Sequence, residues 1–134
     1  MIDWRQWREM STESLEAARW IERYHPRSSV SRYYYAAYQQ VTAVLHYHGG
    51  LIPPDNREAW KHKDTPDMIA AHFRRFISRR IVNGLINELT YLYQLRIYSD
   101  YVSNVIVLNQ VKDARKSSLY IISVCVKILE ESNE

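Results

Sequence analysis

Arg96 and Asp100 are the residues whose types and spacing most directly suggest chemistry. They stand four residues apart and continue the middle of an apolar helical face, at about 100° per residue. The apolar residues of that face are Val82, Leu85, Leu89, Leu92 and Tyr93. Burying an unpaired ion costs several kcal/mol. The two side chains therefore pair with each other, line an open cleft or meet a partner chain, and structural pairing and a functional pocket both stay open.

Arg32 is a second candidate, on the side of another predicted helix that faces away from its apolar stripe. Ala36, Gln39 and Ala43 share that side, and small residues there permit another helix to approach closely. An exposed arginine is most often simply solvated. The functional interpretation is that Arg32 lines the same cleft as Arg96.

The densest positive region of the chain lies on and just after a predicted short helix. It comprises His72, Arg74, Arg75, Arg79 and Arg80, interleaved with Phe73 and Phe76. Arg75 and Arg79 could hold RNA phosphates while an aromatic ring stacks on a base. The phenylalanines also match core spacing, and charge on the outer side of a short helix is common.

The histidines indicate no metal site. His46 and His48 are two residues apart, so they do not face each other on a helix. His62 lies in a loop, and the sequence alone does not decide whether it reaches the cleft. We predict neither a metal nor a cofactor.

Hydrophobic periodicity and turn residues predict five helices and one long loop, about residues 49–64. The predicted bounds are Asp3 to about Tyr24, Ser28 or Ser29 to Gly49, Thr65 to about Ser78–Arg80, about Ile81 to Tyr101, and Asn109 to about Glu130. Val102 to Leu108 is predicted to be a connector. The buried side of the fifth helix would be Val111, Ala114, Ser118, Ile121, Ile122, Cys125 and Leu129. The predicted fold is all-α, an antiparallel bundle of four to five helices.

Composition limits the remaining possibilities. The 134 residues suit one domain spanning the chain, and 46% hydrophobic with 25% charged residues is globular composition. A net charge of +3 permits contact with nucleic acid without proving it. A lone cysteine and the lack of a recognisable signal peptide favour the cytoplasm. The apolar run Leu119 to Leu129 has about half the length that crosses a bilayer, so we expect a core helix and no membrane association.

Two short motifs resemble the HEPN family of prokaryotic helical proteins. Ser31 to Tyr38 reads SRYYYAAY, and Leu95 to Tyr101 reads LRIYSDY, with Ala114 following. The pair is similar to a branch of the family with S-R-x-Y-Y-A and R-x-x-x-D-Y motifs. The likeness covers about residues 10 to 130.

The resemblance implies a helical bundle that forms a homodimer, often encoded beside a minimal nucleotidyltransferase in a toxin-antitoxin arrangement. Many members of the family are metal-independent endoribonucleases with an R-x4-6-H signature at the end of a long helix. Arg96 matches the arginine, but Tyr101, Val102 and Ser103 stand where the histidine is expected. The same spacing recurs from Arg57 to His62 and from Arg19 to His25, at a frequency expected by chance.

Three hypotheses follow. In the first, the chain acts on RNA as a dimer, with Arg96 binding the scissile phosphate and Asp100 and Tyr101 assisting. In the second, it is a non-catalytic module that binds a nucleotidyltransferase or a nucleotide, and Tyr101 is a candidate acceptor for nucleotide transfer. In the third, it is a structural homodimer without a ligand.

Overall fold

The computed structural model describes residues 3–48, 53, 57 and 59–132, except for the side chains of residues 104–106. Within those ranges all regular structure is helical. The helices are α1 Trp4–Ile21, α2 Pro26–Tyr47, α3 Thr65–His72, a 3₁₀ turn Phe73–Arg75, α4 Arg79–Ser99 and α5 Asn104–Ser132. The prediction of an all-α bundle is confirmed. Gly49 and Gly50, predicted to stop the second helix, lie outside the described residues.

Helix starts follow the local sequence at Asp3 but differ from the prediction for α2 and α5. Asp3 caps α1 as predicted. Its carboxylate accepts a hydrogen bond from the Gln6 backbone amide at 3.0 Å, and the Asp3 backbone amide donates to the Gln6 side-chain oxygen at 2.8 Å. The predicted start of α2 at Ser28 or Ser29 is wrong, since the helix begins at Pro26. Proline suits a first turn because its missing N–H would have had no helical partner there. Ser29 donates instead to the Ala18 carbonyl of α1 at 2.8 Å.

The predicted connector from Val102 to Leu108 is also wrong, because α5 already begins at Asn104. Val107 is fully buried in the core, and such packing outweighs the weak helix propensity of β-branched residues. The third helix is shorter than predicted: it ends at His72, and Ser78 then caps α4 by accepting from the Ile81 amide at 3.3 Å.

Helices that follow one another in the bundle run antiparallel, in the order α1, α2, α4, α5. Arg96 near the end of α4 meets Ser31 near the start of α2, so these two helices are antiparallel. α5 packs against α4 and runs antiparallel to it. The central pair, α2 and α5, is not consecutive in the chain. Ser118 of α5 donates to the Tyr33 carbonyl of α2 at 2.7 Å, and Tyr47 of α2 donates to the Ser132 carbonyl of α5 at 3.1 Å. Those contacts show that α2 and α5 lie side by side and parallel.

α2 is the centre of the bundle and is buried on most of its circumference. It contacts α1, α3, α4 and α5. Its small-residue side receives α1 as expected, since Ser11 donates to the Ala36 carbonyl at 2.7 Å and Ser14 to the Gln39 side chain at 2.8 Å. None of the helices in the described part of the chain has the length and apolar character needed to cross a membrane.

Six of the seven residues predicted for the buried side of α5 are buried, Ile121 fully so, whereas Ile122 is only half-buried. Val107, Ser117 and Ile128 are also buried, although the prediction did not include them. We therefore expect Ile121→Ala to lower the free energy of unfolding by about 2–5 kcal/mol, because it leaves a cavity in the core. Ile122→Ala is the matched control and should cost less than half as much. Urea denaturation of both variants measures the difference, and equal losses would contradict this assignment of the helix face.

Candidate functional site

The end of α4 is attached to the start of α2 by Arg27. Its Nε donates to the Ser99 carbonyl at 2.9 Å, and its guanidinium also donates to the Val102 carbonyl. Carbonyl groups at a helix C-terminus have no partner within the helix, and they carry the negative end of its dipole. A cationic donor there stabilises the helix end and fixes its position. Any side chain in the last turn of α4 is thereby held against the first turns of α2.

Arg96 lies in that last turn, half-buried and held by neutral groups. Its Nε donates a long hydrogen bond of 3.4 Å to the Ser31 hydroxyl. Its guanidinium carbon stands 5.0 Å from the ring centroid of Tyr35 and 5.8 Å from that of Tyr34, which is the range of cation–π attraction. The ion pairs among the described residues are Arg8–Glu130 and Arg115–Glu22. Arg96 thus keeps its positive charge free of a carboxylate partner within the described structure.

Asp100 and Arg32 line an open cleft beside Arg96, together with Arg27, Ser28 and Ser31. The cleft measures about 320 Å³. Asp100 is exposed and forms the C-terminal cap of α4. Leu95 and Ser99 occupy the buried positions that continue the apolar face, so the charges lie beside that face rather than in its middle. The predicted alternative of an Arg96–Asp100 ion pair is not formed.

His62 reaches the same tyrosines from the loop before α3. Its Nδ1 lies 2.6 Å from the Tyr34 hydroxyl oxygen. Its ring centroid is 4.5 Å from that of Tyr38, 5.3 Å from that of Tyr34 and 5.8 Å from that of Tyr35. Arg96 and His62 therefore contact the same two rings, Tyr34 and Tyr35. The sequence left this position undecided, and the Arg57 to His62 spacing pointed to a different arginine.

Two neighbouring anchors hold His62 in place. The Trp60 side chain is buried, and its carbonyl accepts a hydrogen bond from the Tyr38 hydroxyl. On the other side, the amides of Asp64 and Thr65 donate to the Lys61 carbonyl at 3.0 and 3.2 Å, which starts α3. A histidine between a buried tryptophan and a helix start has little freedom, although it belongs to a loop.

Burial lowers the pKa of His62, and the positive charge of Arg96 lowers it further. His62 is therefore neutral near pH 7. Burial raises the pKa of Tyr34, so its hydroxyl stays protonated. The two nitrogens of His62 then have separate roles. Where Nδ1–H donates to the Tyr34 oxygen, Nε2 has a free lone pair and can accept a proton; in the other tautomer Nε2–H can donate one.

An apolar hollow of about 200 Å³ adjoins His62 on the side of α3 and α4. Tyr93 and Leu89 form part of its wall, and Lys63 contributes to its lining. Tyr34 lines the same hollow, and its ring also contacts Arg96. His62 therefore borders an apolar surface and at the same time feels the positive charge of Arg96.

Four of the six residues predicted for the site lie at this end of the bundle, and two do not. Arg32, Arg96 and Asp100 are gathered here, and Tyr101 follows directly, with 83% of its surface exposed. Arg79 opens α4 17 residues before Arg96, about 25 Å along the helix axis. Arg75 lies near His48, at the far end of α2, where its charge helps lower the pKa of that histidine. RNA binding by Arg75 and Arg79 stays a prediction, and it would need a surface separate from the cleft.

Metal-ligand and thiol chemistry find no support in the described part of the chain. No group of three or more His, Cys, Asp or Glu side chains is positioned there to hold a metal ion. Cys125 is fully buried, which raises the pKa of its thiol and keeps it in the unreactive protonated form.

Comparison with protein-family models, with curated proteins and with solved structures found no match to this chain. The function is therefore argued from the site itself.

The proximity of Arg96 and His62 has a measurable consequence. We expect NMR titration to place the pKa of His62 below its ordinary value of 6.5. Arg96→Gln removes a nearby positive charge and should raise that pKa, whereas Arg79→Gln, at the other end of α4, should leave it unchanged. In the unaltered protein, the unfolded chain takes up a proton on His62 at a higher pH than the folded chain does. His62 should therefore make the free energy of unfolding fall as the pH drops through 6.5. A His62 pKa unaffected by Arg96→Gln would show that the two groups do not interact.

Proposed function

We propose that this chain is a HEPN-type module that binds and cleaves RNA without a metal ion. The observation that carries the proposal is the contact of Arg96 and His62 with the same two rings, Tyr34 and Tyr35. The arginine belongs to the motif that resembles the family. In this proposal His62 takes the role of the histidine that the motif lacks, and it comes from a different element of the fold.

The chemistry requires a cation and a neutral base. Arg96 would bind the non-bridging oxygens of the scissile phosphate and stabilise the negative charge that grows on them. His62, neutral at pH 7, would take the proton from the ribose 2′-hydroxyl through Nε2. The 2′-oxygen then attacks phosphorus, the bond to the 5′-oxygen breaks, and that oxygen takes up a proton from water, while His62 later returns its proton to solvent. The products would be a 2′,3′-cyclic phosphate and a 5′-hydroxyl.

Arg32 has a supporting role in this proposal, whereas Asp100 is not the base. Asp100 is exposed and therefore lacks the apolar surroundings that make a carboxylate a good base near neutral pH. Arg32 is exposed on the wall of the cleft next to Ser31, where it can bind a neighbouring phosphate. Because Arg96 and His62 belong to one chain, the expected homodimer is not needed to bring them together.

We expect purified protein to cleave single-stranded RNA in the presence of EDTA. Arg96→Ala and His62→Ala should each lower the cleavage rate by about 10²-fold or more, as for other charge-stabilising and proton-transfer groups. Arg5→Ala is the matched control, since Arg5 is an exposed arginine stacked on Trp4 at the opposite end of the bundle, and its rate should not change.

Mixing the two inactive variants adds a sharper test. If both residues act within one chain, a mixture of Arg96→Ala and His62→Ala proteins should stay inactive. Recovery of activity would show that the site is shared between two subunits. The proposal is wrong if the unaltered protein leaves RNA intact or if both variants keep full activity.

A second candidate function is suggested by the exposure of Tyr101. The residue is exposed and directly follows Asp100, which lines the cleft. In this proposal its hydroxyl attacks the α-phosphorus of a nucleoside triphosphate held by a nucleotidyltransferase partner, and pyrophosphate leaves. Mass spectrometry of the protein co-expressed with a minimal nucleotidyltransferase should then show a nucleotide adduct on Tyr101 and none on the Tyr101→Phe variant. An adduct on Tyr91 instead, or on no tyrosine, would exclude Tyr101 as the acceptor.

A further inference from the structure

Large aromatic side chains are exposed at the end of the bundle that carries the cleft. Tyr24 is 79% exposed, Tyr98 48% and Tyr101 83%, and Trp20 in the last turn of α1 is 83% exposed. Rings of this size normally bury most of their surface in a core or an interface. Neither the fold nor the proposed reaction explains why these rings face solvent.

The contacts of Arg27 bring two of these tyrosines, Tyr24 and Tyr101, to the same end of the bundle. Tyr24 stands in the turn between α1 and α2, three residues before Arg27. The Arg27 guanidinium donates to the carbonyls of Ser99 and Val102, which flank Tyr101 in the chain. The hydrogen bond of Ser29 to Ala18 places the last turns of α1 beside the first turns of α2. We call the exposed tyrosines Tyr24 and Tyr101 the aromatic patch.

The charge around the aromatic patch is mainly positive. Arg23, Arg27 and Arg32 are exposed at this end of α1 and α2, and Arg96 lies behind them. Glu22 does not offset them, because it accepts from both the Arg115 guanidinium, at 3.1 Å, and the Tyr33 hydroxyl. Asp100 is the remaining carboxylate that lines the cleft.

We propose that the aromatic patch binds the unpaired bases of a single-stranded RNA whose phosphates lie along the arginines. This inference rests on the proposed function and adds the substrate class to it. Aromatic rings stack on bases of any sequence, while arginines track the backbone. A double helix keeps its bases stacked inside, where these rings do not reach them. The patch therefore selects strands with free bases and has little sequence preference.

A second copy of the chain is a poorer occupant of the same surface. In a two-fold symmetric dimer this surface would contact itself. Three exposed arginines would then face the same three arginines of the partner, and like charges at an interface are unfavourable. A polyanion meets the same arginines with complementary charge.

Fluorescence anisotropy with a short 2′-O-methyl oligouridine tests the inference, since that strand lacks the attacking hydroxyl and stays intact. Tyr24→Ala and Tyr101→Ala should each weaken binding at least about fivefold, the lower end of what one stacked base contributes. Tyr101→Phe should bind as tightly as the unaltered protein, because stacking needs the ring and not the hydroxyl. Tyr120→Ala is the matched control: this tyrosine is also exposed, at 39%, but lies in the groove between α4 and α5. A duplex of the same length should bind at least tenfold more weakly.

The outcomes separate this inference from the proposed function. If Arg96→Ala weakens oligouridine binding while both tyrosine variants bind normally, the aromatic patch is wrong and the function stands. If the tyrosine variants lose binding while Arg96→Ala and His62→Ala still cleave RNA, the inferred patch is supported and the catalytic assignment fails. Equal affinity for the duplex overturns the inference. A change of mass in sedimentation of Tyr24→Ala or Tyr101→Ala, without loss of RNA affinity, also overturns it, because the patch would then be an interface between copies.

Discussion

The burial of α2 within the bundle is the constraint on which the other features depend. Most of its side chains between Ser29 and Leu45 are removed from solvent, and their polar atoms need partners because unpaired groups are costly there. The surrounding helices supply several of these partners. Ser11 of α1 and Ser118 of α5 bond to carbonyls of α2, and the Tyr33 hydroxyl donates to Glu22. These bonds fix how far α1 and α5 can slide along α2.

The same helix makes the site through three of its tyrosines, of which Tyr34 and Tyr38 are buried and Tyr35 is half-buried. All three rings contact His62, and those of Tyr34 and Tyr35 also contact Arg96. A guanidinium against aromatic faces is stabilised without losing its net charge. A carboxylate in that position would have neutralised it. The tyrosines therefore allow a half-buried cation to remain available for an anion.

The sequence predicted the fold well because helix faces and punctuation are local signals. Asp3 and most of the buried side of α5 could be read from neighbouring residues, and so could the presence of each helix. Ser78, which caps α4, was instead assigned to the end of the third helix. The errors at Pro26 and Asn104 arose where a tertiary contact decides: Ser29 bonds to Ala18 rather than capping, and Val107 is drawn into the core. Arg96 was found because a charge beside an apolar face is visible in one helix. His62 was not assigned, because no periodicity relates a loop residue to tyrosines 24 to 28 positions earlier.

The two halves of the proposed site are held by different forces, and this bears on how the site would work. Arg96 is fixed by α4, whose end is tied to α2 through Arg27. His62 depends on the buried Trp60 and on the bond from Tyr38 to its backbone. Protonating His62 adds a second positive charge beside Arg96, which opposes protonation in the empty site. A bound phosphate brings negative charge to the same place and relieves that repulsion, so the imidazole becomes a stronger base when an anion is bound. The charge of the substrate would thus prepare the group that removes its proton, with no movement of the helices required.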